Sequence, residues 1–523
     1  MNSEVTAIEG GTLPSQGWAS RDLFHWRLLL AGAVSIFLLG LDLPDKTRFY
    51  LLLIVLLVYL GSELYHARAI LGRRILINPI VATSLVTFGI MLGISNLVYL
   101  FADDSFLEFL LGETPYYWMF RAMVYVLAAA IAMWTGYRSG VGNKIGGAIR
   151  RWPLWRRTLR TRYEPNWGFI VIALIISIAS RLIQVSLGVF GYSSDIDMLR
   201  KWAGITQYLG VGADLGKLGL VGLSLAYFNR ASEDRKLPIV LGILLVIETT
   251  FGFLSGFKSQ VILPFLIVGG CFYCARGKFP KWFVLGTVLL VFLSYVVIEP
   301  YRITRHADPE YRGTDILHIG SALVENIGSE DIFSGVQEDL PVSVLMGFLN
   351  RMSNLPDAAR SIQFKEETEL PEDSPEFLKN LLVTPVHAVV PRLLWPSKPL
   401  QRVGSWYAIT VREQPYTSET AFSMTPVGYL YFAGGVVAIL LTFGVLGLLQ
   451  RVIYESFRSA GGGGALVLMG YFLQFAIIES SIDTVFINIF RMLPMLLASQ
   501  YFLYKRTAVP LFDLSGRNNS LES

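Results

Sequence analysis

The chain has 523 residues, of which 53% are hydrophobic and only 16% charged, and its mean hydropathy is +0.50. A soluble globular protein carries about 25% charged residues, so the composition excludes an ordinary soluble enzyme and points to a polytopic membrane protein. The net charge of +4 is small; its distribution along the chain carries more information than its total, and no nucleic-acid partner is expected.

Residues 1–25 are polar, lack a signal-peptide pattern, and read as a cytoplasmic tail. A crossing helix needs about 20 apolar residues. Twelve candidates follow, near 26–42, 49–66, 77–101, 118–136, 167–190, 204–228, 238–254, 260–275, 282–300, 421–449, 465–482 and 485–504. The segment 137–167 carries eight basic residues and one acid, Glu164, so the positive-inside rule places it in the cytoplasm. Alternation then puts "HARAILGRR" (66–74), "RGKFPK" (276–281) and "RVIYESFRSAGGGG" (451–464) inside as well, and the acidic, aromatic "ADDSFLEFLLGETPYYW" (102–118) outside. The expected fold is an all-α polytopic integral membrane protein of about 12 transmembrane helices with both termini cytoplasmic. Helices 1–9 occupy 26–300, a large external loop 301–420 separates helices 9 and 10, helices 10–12 occupy 421–504, and 505–523 is a second cytoplasmic tail.

The external loop is far longer than ordinary connections. Apolar residues Val344, Leu345, Phe348, Leu349, Met352 and Leu355 in "PVSVLMGFLNRMSNL" (341–355) follow helical spacing. The loop therefore reads as an ordered cap resting partly on the membrane.

Chemistry has few places to reside. The glycines of "GVGADLG" (210–216) lie inside an apolar helix, where they permit close packing rather than cradle a phosphate. Cys271 and Cys274, in "CFYC", read as small packing residues. Ionisable residues at membrane depth are costly and commonly functional. They are Arg181, Asp214 with Lys217, Glu248, Lys258, and the group Glu479, Asp483 and Arg491. Asp214 and Lys217 lie three residues apart on one helix face and read first as an internal pair. In "SGFKSQ" (255–260), Lys258 would be an unpaired charge in a poor solvent, seeking an anion or snorkelling to head groups.

The ninth helix ends "VVIEPYRITRH" (296–306), bringing Glu299, Arg302, Arg305 and His306 to the interface. Arginine's forked donors suit diphosphate oxygens, and Glu299 or a histidine suits general-base work on a hydroxyl. An interfacial charge belt accounts for the same residues. In the loop, Arg351 stands on the polar side of 341–355. "VHAVVPRLLWPSKPLQR" (386–402) gathers His387, Arg392, Trp395, Lys398 and Arg402 between prolines. The tryptophan offers a flat face for a sugar ring, and the prolines hold the groups in place before a ligand arrives. A surface turn with a membrane-anchoring tryptophan is the plainer alternative. The D-x-D spacing of Asp195 and Asp197 in "SSDIDM" (193–198) is the one acidic pattern that a metal-dependent lipid glycosyltransferase would use.

The "SGFKSQ" turn, the loop carrying "NRMS" and then "PRLLWPSKP", and "SETAFSMTPVGYLYFAGG" (418–435) resemble, in order and spacing over roughly 240–450, the Wzy-type oligosaccharide repeat-unit polymerases. The resemblance implies a membrane-embedded glycosyltransferase of the bacterial cytoplasmic membrane, active at its outer face. Its substrate would be a lipid-linked oligosaccharide carried on undecaprenyl diphosphate, with no cofactor and no metal. Its partners would be membrane lipids and the chain-length regulator and flippase of the same pathway. His387, Glu299, Arg302 and Arg392 would then be catalytic. Lys258, Arg305, Arg351, Trp395, Lys398 and Arg402 would bind substrate. A 12-helix transporter or flippase, and a ligase that moves finished polymer to another acceptor, remain alternatives.

Overall fold

The computed structural model describes residues 40–505 and, before them, 32–34 and 37. Within that range it leaves out 102–103, 153–163, 192–195, 230–233, 299–351, 373, 391–394, 396–402, 414–421, 423, 459–460, 477, 479–481 and scattered positions in 282–297.

The described residues are helical, and the one β-bridge among them is an isolated pairing of Pro165 with Tyr504. Among the described residues, nine helices are long and apolar enough to cross a membrane. They are α1 (Asp45–Leu71), α2 (Pro79–Leu100, in α, π and 3-10 turns), α4 (Pro115–Arg138), α6 (Trp167–Ser186), α7 (Ala203–Phe228), α8 (Lys236–Leu254), α9 (Lys258–Arg276), α12 (Pro426–Phe457) and α14 (Ile482–Leu503). Shorter helices join them: α3 (Ser105–Leu111), α5 (Gly140–Arg151), α10 (Leu355–Glu367), α11 (Phe377–Val389) and α13 (Gly461–Ala476). The first and ninth predicted spans fall largely outside the described residues. The eleventh is described as α13, whose 16 residues are short for a full crossing. The amphipathic helix expected over 341–355 also lies outside them, save 352–355; the helix described there begins where that prediction ends, at Leu355.

Two helices form the centre of one half of the bundle. Along α4 and α12 glycines alternate with backbone contacts: a Cβ on Gly136 would sit 1.9 Å from the Gly444 carbonyl oxygen, and one on Gly447 would sit 1.9 Å from the Met133 oxygen. Small residues let transmembrane backbones meet this closely, which replaces the missing hydrophobic drive in lipid with dispersion. The basic segment after α4 continues as α5, whose Gly142 and Gly146 lie on Arg451 and Glu455 of α12. Glu455 is buried and meets Arg451 at 2.7 Å and Arg458 at 2.9 Å, so this end of the bundle is a closed arginine cluster. The opposite end, the cap end, carries α3, α10 and the start of α12.

The other half packs α6, α8 and α9 around α7. Cys271 is buried with its thiol 3.7 Å from the Val221 carbonyl, and both cysteines are free, in keeping with a packing role. Helices α13 and α14 pair and join the two halves; the backbone N–H of Ile478 donates to Thr87 Oγ1 of α2 at 3.0 Å.

Candidate functional site

Of the residues singled out in the loop, His387 and Trp395 are described, and they meet. Their ring centroids are 5.1 Å apart in an edge-on arrangement. His387 is 4% exposed, and Trp395 is half-buried. Glu299, Arg302, Arg305, His306, Arg351, Arg392, Lys398, Arg402 and Glu479 lie outside the described residues, as do the side chains of the D-x-D pattern.

Helix α11 carries His387 and packs against α12 and α14. Its first residue, Phe377, is a buried anchor. It contacts Trp406 at 5.4 Å, Tyr429 at 5.3 Å and Phe432 at 5.0 Å, and its carbonyl accepts from the Tyr429 hydroxyl at 3.2 Å. The contacts with Trp406 and Tyr429 are edge-on, a geometry that fixes relative orientation as well as burying area. Ten residues on, Thr384, His387 and Ala388 form the buried face.

The aromatic seat exists because α12 is broken. Gly435 has φ 63° and ψ −146°, a region that only glycine occupies without strain. The break leaves the carbonyls of Tyr431 and Phe432 without a following turn, and Lys365 of α10 supplies the donors at 3.2 and 2.9 Å. Burial holds the Lys365 ammonium below its ordinary pKa. Its neighbour Glu366 accepts from Arg121 of α4 and from the Tyr431 hydroxyl. One short helix thus ties α4 to the first segment of α12, and that segment seats α11.

The rest of the cap end is similarly fastened. The Tyr407 hydroxyl donates to Asp357 Oδ1 at 3.1 Å, and Arg412 approaches the same oxygen at 3.4 Å. Burial pushes the Asp357 carboxyl up, against the pull of Arg412 and Tyr407. Asp104 accepts from Lys46 at 2.9 Å and from the Tyr116 hydroxyl. Partial burial works to raise its pKa, but these two donors outweigh it and hold the carboxyl below its usual value.

At membrane depth four of the ionisable residues form two pairs, while Asp483 and Arg491 lie along α14. Arg181 of α6 grips Glu248 of α8 with two bonds of 2.9 and 2.7 Å, and gives a third to the Ala213 carbonyl of α7 at 3.1 Å. Phe251 lies under the guanidinium, 4.9 Å away. Lys217 meets Asp214 at 2.9 Å, as their spacing predicts. Lys258 heads α9 rather than lying in a free turn, and it has a partner within the chain; the expectation of an unpaired ammonium there is corrected. Among the described residues no three His, Cys, Asp or Glu gather as a metal-ligand set.

These features define a helical polytopic membrane protein with a packed cap at one end and, at membrane depth, the ion pairs Arg181–Glu248 and Asp214–Lys217. Residues 175–506 match the model of a family described as a domain of unknown function, DUF8712, and the chain belongs to that family. The match takes in Arg181, Glu248, His387 and the broken α12, and leaves out α1 to α5. No curated protein matches the chain, and no solved structure does.

Proposed function

We propose that the protein polymerises oligosaccharide repeat units carried on undecaprenyl diphosphate, with the cap end facing outward from the bacterial cytoplasmic membrane and both termini in the cytoplasm. The observation that carries this reading is the seating of His387 against Trp395 on a cap helix lodged against two spans. A tryptophan face suits a sugar ring, and an imidazole beside it suits a proton taken from a sugar hydroxyl.

In the proposed reaction His387, or Glu299, accepts the proton of the acceptor hydroxyl. The hydroxyl oxygen forms a bond to the anomeric carbon of the growing chain. The bond from that carbon to the diphosphate oxygen breaks, and the electron pair leaves with the lipid diphosphate. Arg302, Arg392, Arg351, Arg305, Arg402 and Lys398 are the cations that would stabilise charge on that leaving group, and Lys258 would join them only by exchanging its partner within the chain. Holding both lipid-anchored substrates in one leaflet supplies the alignment.

The buried charges at membrane depth favour a second reading, a transporter or flippase. Against it, Arg181 and Glu248 already satisfy each other. The location of stranded intermediate separates the two. In a deletion strain, a lost polymerase leaves single lipid-linked units exposed on the outer leaflet, open to an added glycosidase. A lost flippase leaves them protected on the inner leaflet, and that result would overturn the polymerase reading.

A further inference from the structure

Helix α11 presents two faces of opposite environment. Phe377, Thr384, His387 and Ala388 are buried, whereas Leu378, Leu382 and Val386 stand exposed at i, i+4 and i+8, Leu382 at 70%. A stripe at this spacing lies along one side of a helix. Its first turn is wet: Glu376 and Lys379 pair with both side chains 67% exposed. From Asn380 to Val390 the sequence contains no Asp, Glu, Lys or Arg.

The stripe does not face water by default, because α11 packs along α12 and α14, two helices that cross the membrane. Past the break, α12 exposes its own apolar row, Val436, Val437, Leu440 and Leu441. An uncharged apolar stretch of 10–14 residues is the length of a re-entrant or interfacial segment and too short for a full span. From Lys379 to His387 is eight residues, about 12 Å along the axis, against a half-thickness of about 15 Å for the hydrocarbon core.

We infer that α11 is a re-entrant half-span. It enters the leaflet at the cap end through Glu376 and Lys379, lays Leu378, Leu382 and Val386 against acyl chains, and carries His387 below the membrane surface. The partner of the stripe is lipid hydrocarbon. Apart from the Leu381 carbonyl, which Pro385 leaves without its helical donor, the helix keeps its backbone bonds inside itself, and its polar tip is turned to protein, which is how non-spanning backbone is tolerated at this depth. This differs from a cap standing wholly outside the bilayer. It also does not depend on which reaction the protein carries out.

The test is a depth measurement on the full chain with Cys271→Ala and Cys274→Ala, reconstituted in phosphatidylcholine–phosphatidylglycerol vesicles. Nitroxide labels go on single cysteines replacing Lys379, Leu382 and Val386, and collision rates are read with oxygen and with a water-soluble nickel chelate. Lys379 is expected to favour the nickel reagent. Leu382 and Val386 are expected to favour oxygen, with Val386 the deeper. Nickel access at 382 and 386 would put the helix in water, and exclusion of both reagents would put a protein partner on the stripe; either result overturns the inference. A second measurement avoids labels. Leu382→Asp should lower the folded-to-unfolded ratio in lipid nanodiscs by on the order of tenfold or more, while Leu382→Phe leaves it unchanged. Equal tolerance of both would also overturn it.

Discussion

Replacing Glu248 with glutamine removes the negative half of a pair in which Arg181 is 5% and Glu248 2% exposed. The guanidinium would keep its bond to the Ala213 carbonyl at 3.1 Å but lose its counter-ion and one of the two acceptor oxygens it holds at 2.9 and 2.7 Å, since the amide nitrogen that replaces it cannot accept. Breaking a buried pair from one side costs about 3–5 kcal/mol, because the remaining charge is left without compensation. A drop of about 3 kcal/mol is roughly a hundredfold in the folding equilibrium. Replacing both partners with apolar residues of similar volume, as in Arg181→Met with Glu248→Leu, is nearly neutral by the same reasoning, since both desolvation costs disappear. Tryptophan fluorescence during denaturant unfolding in detergent reads the midpoint of all three proteins. The single variant should unfold far earlier, and the double variant should return close to the wild-type midpoint and still support polymer formation. A Glu248→Gln protein as stable as wild type would refute the structural role. A stable double variant that makes no polysaccharide would show that the pair has a functional role, and would favour transport.

The glycine contacts give a sharper steric prediction. A methyl on Gly447 falls 1.9 Å from the Met133 oxygen, about 1.5 Å inside ordinary contact. Gly447→Ala should therefore cost at least about 1–3 kcal/mol, whereas Gly147→Ala, which meets open space, should be neutral or slightly stabilising; detergent melting curves compare them. Lys365→Met leaves the Tyr431 and Phe432 carbonyls without their donor and should lower stability by about 1–2 kcal/mol, with hydrogen exchange rising first at residues 426–433. Asp104 should give a pH signature. Its carboxyl is held below the ordinary value, so its contribution is present above the ordinary aspartate pKa and is lost as pH falls through the lowered one. Wild type and Asp104→Asn should differ in unfolding midpoint at neutral pH and converge in strong acid; a constant difference across that range would refute the assignment.

The spans were legible because lipid imposes a length and a composition on each, and nine of them recur among the described residues. The Asp214–Lys217 bond was legible from spacing on one helix. Its neighbour was not: Arg181 and Glu248 are 67 positions apart, and pattern within a helix carries no information about which helix it meets. The break in α12 had a visible signal, the adjacent Gly434 and Gly435 inside an apolar run, yet hydropathy alone made 421–449 one continuous span. Lys365 and Glu366 gave no such signal. Their significance comes from the carbonyls and arginine that the fold brings to them. His387 and Trp395 were chosen for their chemistry, and eight positions of separation in a proline-interrupted segment gave no signal that their rings would meet.

The proposed polymerase activity rests on His387 most directly. The decisive measurement is the surface-polysaccharide ladder of a deletion strain expressing His387→Ala, resolved on a gel, with the variant's membrane level and melting midpoint matched to wild type. If His387 is catalytic, this strain yields single repeat units and no ladder, with long chains restored by the wild-type protein. A normal ladder from the alanine variant would contradict that role.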